Sequence, residues 1–127
     1  MNKTVIATEK SPAAIGPYSQ GFITGGMLYT SGQIPLVPET GKLAGETIEE
    51  QTEQALKNIQ AILESEGLSM KNVVKTTVLM QNIGDFAAMN EVYAEFFTEE
   101  CPARAAYEVA KLPKGALVEI EAIAYVK

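Results

Sequence analysis

The sequence predicts an α+β fold in which two helices cover one face of a mixed sheet, in the order β-β-α-β-α-β-β. Three observations carry that prediction. Two segments have helical periodicity, a Gly25-Gly26 pair separates two short β-forming runs, and two further β-forming runs close the chain.

Gly16-Pro17-Tyr18 punctuates the N-terminal stretch, and residues 20–24 then read as a short strand. Gly25-Gly26 suits a tight hairpin, because glycine tolerates the positive φ such turns need, and residues 27–31 return as the second strand. A Gly- and Pro-rich loop spans residues 32–45. Thr47 with Glu50 has the spacing of a capping box, which satisfies two otherwise orphaned backbone donors at a helix start. Ile48, Thr52, Ala55, Leu56, Ile59, Ile62 and Leu63 recur on one helical face until Glu66-Gly67 ends the helix. Residues 72–81, with Val73, Val74, Thr76, Thr77 and Val78, form a strand. Asp85 is placed to cap a second helix, in which Phe86, Met89, Tyr93, Phe96 and Phe97 line one face. Pro102 breaks the chain, and strands at 103–110 and 116–126 follow, joined by Leu112-Pro113-Lys114-Gly115.

Each strand–helix–strand passage needs a crossover, which packs its helix onto the sheet. Two helices cover one face only. Yet the last strand is apolar on both, with Val118, Ile120, Ala122 and Ala124 on one side and Leu117, Ile123 and Tyr125 on the other. A homo-oligomer is the simplest cover for the second face.

Length and composition narrow the function. The 127 residues fit one domain, 1–127. Sixteen acidic against ten basic residues give a net charge of -6, which disfavours nucleic acid as a partner, because phosphate binding rests on Lys and Arg. The one cysteine, Cys101, has no intrachain disulfide partner. The short run at Val5-Ile6 is interrupted by Glu9, Lys10 and Pro12, so no signal peptide is expected, and no later run reaches the ~18 apolar residues of a membrane span. A cytoplasmic protein without membrane partners is expected.

The chain has no histidine, which removes Ser-His-Asp and Cys-His nucleophile systems and His-based metal sites, and it carries no phosphate-binding glycine motif. No metal or cofactor is expected. Catalysis, if present, falls to carboxylates, Arg, Tyr, Ser and backbone groups.

Two features stand out from the scaffold. Strict alternation places Glu119 and Glu121 on the same strand face as Leu117 and Ile123. They are either a partly solvated strand face or carboxylates at an apolar interface, where desolvation would raise a pKa toward general acid–base use. The second is Arg104 in Pro102-Ala103-Arg104-Ala105-Ala106. It is either an ordinary surface arginine or a guanidinium that grips a carboxylate through paired hydrogen bonds, its small neighbours giving a ligand access. Tyr18 can equally pack beside Pro17, and for Ser31 a strand-end hydroxyl that satisfies local backbone is commoner than a catalytic one.

The segments Ser11–Gly21, Ser31-Gly32-Gln33-Ile34-Pro35, Val74–Val78, Pro102-Ala103-Arg104, Glu108–Lys114 and Val118–Glu121 together resemble the reactive-intermediate deaminase (RidA, YjgF-like) family in order and spacing, over about residues 4–126. That resemblance implies a chorismate-mutase-like fold assembled as a homotrimer with ligand clefts between subunits. It implies that Arg104 holds a substrate carboxylate, that Glu119 positions or activates water, and that Tyr18, Ser31 and Gly32 line the cleft. The family usually has Ser-Cys after the arginine, where this chain has Ala105-Ala106; backbone contacts to ligand remain open to Ala106, thiol chemistry does not. The implied activity is hydrolysis of 2-enamine or 2-imine amino-acid intermediates, such as 2-aminoacrylate and 2-aminocrotonate, to 2-keto acids and ammonia. The alternative is a non-catalytic, regulatory protein that binds small carboxylates in the same cleft.

Overall fold

A computed structural model describes residues 3–127. Six strands form one sheet: β1 (Thr4–Ile6), β2 (Gly21–Thr24), β3 (Met27–Thr30), β4 (Val73–Met80), β5 (Ala103–Glu108) and β6 (Val118–Tyr125). Their spatial order is β1-β2-β3-β6-β4-β5. Only β4 and β5 pair in parallel; the other pairs are antiparallel. Two helices, α1 (Ile48–Glu64) and α2 (Phe86–Phe96), provide the crossovers to β4 and to β5.

The local signals explain most of these elements. Gly25 and Gly26 both have positive φ, +59° and +78°, and so close the β2–β3 hairpin with a turn that matches strand twist. Thr47 and Glu50 form the capping box at α1, and Gly67, with φ +74°, turns the chain away at its far end. The expected Asp85 cap is not made: its side chain bonds no backbone donor at the start of α2. Asn82 does the work one turn earlier, accepting from Gly84 N in a short 3₁₀ turn at Ile83–Asp85 that runs into α2. β1 was not expected, because three residues carry little pattern; it forms by pairing Thr4–Ile6 with Gly21–Ile23 and burying Ile6.

Both helices pack on one face of the sheet. Leu56, Ile59, Ile62 and Leu63 of α1 and Met89 and Tyr93 of α2 meet Val78 and Met80 of β4 and Val118, Ile120, Ala122 and Ala124 of β6. Burying one such aliphatic side chain contributes roughly 1.5–3 kcal/mol, so this single layer supplies the main driving force of the fold. The opposite face holds Glu119, Glu121, Ile123 and Tyr125 of β6, together with Tyr29 and Tyr107. No helix covers it, and Tyr107, Tyr125 and Tyr29 are 50%, 42% and 37% exposed. Among the described residues, no helix is long and apolar enough to cross a membrane.

Candidate active site

The site begins where the loop after β3 meets β6. Gln33 and Ile120 exchange backbone hydrogen bonds, Gln33 N to Ile120 O at 2.7 Å and Ile120 N to Gln33 O at 3.1 Å. The antiparallel bridge sets Gly32 beside β6, within reach of the side chain of Glu119, the residue before Ile120. Val118 and Ile120 point into the core, so alternation turns the Glu119 side chain outward, over Gly32. A Cβ at position 32 would overlap Glu119 Oε2 and lie 2.9 Å from its Cδ. Gly32 is needed here for its missing side chain rather than for an unusual φ.

Glu119 opens into a cleft of about 420 Å³ bordered by Pro12, Ile15, Tyr18, Ile34 and Lys114. Burial against these largely apolar groups pushes its carboxyl above the ordinary value of 4.5, and the charge of Glu121 raises it further. Such a group holds or releases a proton closer to neutrality than a solvated carboxylate does.

Buried glutamines fix the cleft wall. Gln20 Nε2 donates to the carbonyls of Thr8, Ser11 and Pro12 at 3.0, 3.2 and 2.7 Å, while its Oε1 accepts from Thr8 N at 2.6 Å. Ser11 Oγ in turn donates to Gln33 Oε1 at 3.3 Å. An irregular segment with no sheet partner is thereby held over the strand ends. Tyr18, 52% exposed, accepts at its hydroxyl from Ile15 N at 3.4 Å and borders this cleft and two adjoining ones. Ser31 donates its hydroxyl to Ser19 O, so it serves local backbone, and it lines a neighbouring hollow with Tyr18, Phe22 and Tyr29.

Arg104 lies elsewhere. On the edge strand β5 it stands opposite Thr76 of β4, on the helix-covered face. Its Nη1 donates to Asn90 Oδ1 at 2.7 Å, and its guanidinium lies 4.7 Å from the ring centre of Tyr93 and 5.2 Å from that of Phe86. Ala106, opposite Val78, is partly buried and packs against the core. One chain therefore brings Tyr18, Gly32 and Glu119 into one cleft, sets Ser31 in the hollow beside it, and leaves Arg104 and Ala106 on the other face at the sheet's edge.

Three contributions escaped the sequence reading. Lys114 borders the cleft with φ +58°, a left-handed conformation uncommon outside glycine; its Pro-Lys-Gly setting marked a turn but no site. Gln20 and Gln33 had no signal, because a buried amide is recognised only by its partners. Asn90 was missed too, although a polar residue on the aromatic face of α2, at helical spacing from Phe86 and Tyr93, is a signal that could find it. Among the described residues, no group of three or more His, Cys, Asp or Glu side chains gathers as metal ligands.

Comparison with known proteins bears on the family and the fold. The profile of a family described as Endoribonuclease L-PSP matches residues 8–126. A human protein named 2-iminobutanoate/2-iminopropanoate deaminase is 50% identical over 122 residues, covering 96% of this chain and 89% of its own. This chain belongs to the reactive-intermediate deaminase family. A RutC family protein of Pyrococcus abyssi is 54% identical over 125 residues, covering 98% of both chains. The fold is that of the family: E. coli TdcF with bound serine superposes with a TM-score of 0.93 at 43% identity, covering 98% of this chain and 99% of that one.

Proposed function

We propose that the protein hydrolyses the 2-imine tautomers of enamines such as 2-aminoacrylate and 2-aminocrotonate to 2-keto acids and ammonia. The observation that carries this reading is the Glu119 carboxyl, half-buried over Gly32 in an apolar cleft, where burial raises its pKa above the ordinary value. The imine carbon C2 is already electrophilic, so orientation and proton transfer suffice. Water held by Glu119 adds its oxygen to C2, and the proton it loses passes through the carboxylate to the nitrogen. The hydroxyl proton of the resulting aminoalcohol then passes through the same carboxylate to its NH2 group, the C2–N bond breaks, and ammonia leaves with the bonding pair to give the keto acid. Atoms balance with one water in and one ammonia out.

The carboxylate of the substrate is assigned to Arg104, whose planar fork suits it. Arg104 and the Glu119 cleft face opposite ways in one chain, so the working site combines Arg104 of one copy with Tyr18, Ser31, Gly32 and Glu119 of another. The exposed Tyr29, Tyr107 and Tyr125 give the copies an apolar surface to share. The assembly proposed is a cytoplasmic homotrimer. Backbone at Ala106 is the remaining substrate contact in this reading. The serine bound in TdcF, a small 2-amino carboxylic acid, supports the ligand class.

The test is a coupled assay in which a threonine or serine dehydratase generates the enamine and keto-acid release is followed continuously. Acceleration by the wild-type protein, lost in Arg104→Ala, supports the reading. Binding of 2-oxobutyrate without any acceleration would replace it with the non-catalytic one.

A further inference from the structure

Arg104 is exposed and would ordinarily sample many rotamers, yet three side chains hold its guanidinium. Phe86, Asn90 and Tyr93 occupy successive turns of one α2 face. Tyr93 is buried and itself fixed, its hydroxyl 2.7 Å from Thr76 Oγ1, and Thr76 is the β4 residue opposite Arg104. Tyr93 and Phe86 lie 4.7 and 5.2 Å from the guanidinium and orient its plane. They leave rotation within that plane open, and only a directional bond removes it. Asn90 Oδ1 supplies that bond at 2.7 Å, using one of the five guanidinium N–H groups.

We propose that Asn90 is a positioning residue that presets the Arg104 fork for a substrate carboxylate, an inference that rests on the carboxylate role given to Arg104 above. The amide is suited to this because it accepts a hydrogen bond without bringing charge. An aspartate would bond the guanidinium more strongly, but would neutralise the site and repel the incoming carboxylate. Side-chain ordering costs are also reduced when the fork is held before binding.

The experiment measures 2-oxobutyrate affinity by calorimetry and kinetics in the coupled assay for the assembled wild type, Asn90→Ala, Asn90→Asp and Arg104→Ala. The expected order of weakening is Asn90→Ala, by about three- to tenfold, then Asn90→Asp, by more than about tenfold, with KM rising more than kcat falls. The thermal midpoint of Asn90→Asp is expected at or above that of wild type, since its charged bond is stronger. A structural role alone would give the reverse order, with aspartate binding ligand as well as asparagine. That reversed order, or wild-type affinity in both Asn90 variants while Arg104→Ala is weakened, overturns the proposal and leaves the Arg104 assignment standing. Wild-type affinity in Arg104→Ala overturns both.

Discussion

Arg104 and Glu119 stand on opposite faces of one sheet, Arg104 opposite Thr76 of β4 and Glu119 opposite Leu79. A single copy cannot present both to a molecule as small as 2-iminobutanoate. The relationship makes assembly a condition of the proposed activity rather than an accessory to it.

Light scattering is therefore expected to give three times the chain mass of 13.7 kDa. A more searching measurement mixes two inactive variants. Arg104→Ala and Glu119→Gln, co-assembled in equal amounts, should regain about a quarter of wild-type activity, because a site drawing one residue from each of two randomly chosen copies is intact that often. Absence of recovery in verified mixed trimers would mean that both residues act from one copy.

Glu119→Gln should slow turnover at least about tenfold while leaving keto-acid binding nearly intact, since the amide keeps shape and hydrogen bonding but not basicity. Glu121→Gln, altering an exposed residue on the same face, should cost far less. The opposite ranking would reassign the carboxylate.

The same residue predicts a pH dependence of stability. Folding raises the Glu119 pKa above 4.5, so the folded chain binds this proton more tightly than the unfolded one. Stability from this group is thus lost as pH rises from about 4.5 through the raised value, with no further change above it. Unfolding by denaturant should show Glu119→Gln gaining on wild type across that interval and matching it at lower pH. A difference that grows as pH falls would contradict the sign.

Gly32→Ala tests the close approach. The added methyl must displace the Glu119 carboxylate, which is free to swing outward, so folding should change little while kcat falls at least about tenfold. Full activity would show that the carboxylate's position over Gly32 is not needed.

Gln20→Leu keeps the volume but removes the donors to the carbonyls of Thr8, Ser11 and Pro12. A loss of about 1–3 kcal/mol in denaturant unfolding is expected, the usual cost of stranding buried acceptors. Pro12 borders the cleft, so KM should rise more than kcat falls. Unchanged stability would mean that solvent replaces the amide.

The sequence by itself determined the elements whose causes are local. The Thr47–Glu50 capping box, the Gly25-Gly26 turn and the alternation of β6 all appear where short-range pattern put them, and that alternation already turned Glu119 away from Ile120. The family resemblance named Tyr18, Ser31, Gly32, Arg104 and Glu119 without saying which of them meet. Only the tertiary structure decided that. The Gln33–Ile120 bridge joins residues 87 apart in the chain and sets Gly32 under Glu119, while parallel pairing with Thr76 sends Arg104 to the helix side. β1 and the Gln20 network were illegible for the same reason: three residues have no period, and a buried amide takes its meaning from carbonyls that folding brings to it. Local propensity is written in neighbours along the chain, whereas register and long-range hydrogen bonds exist only once the core has fixed which strands lie side by side.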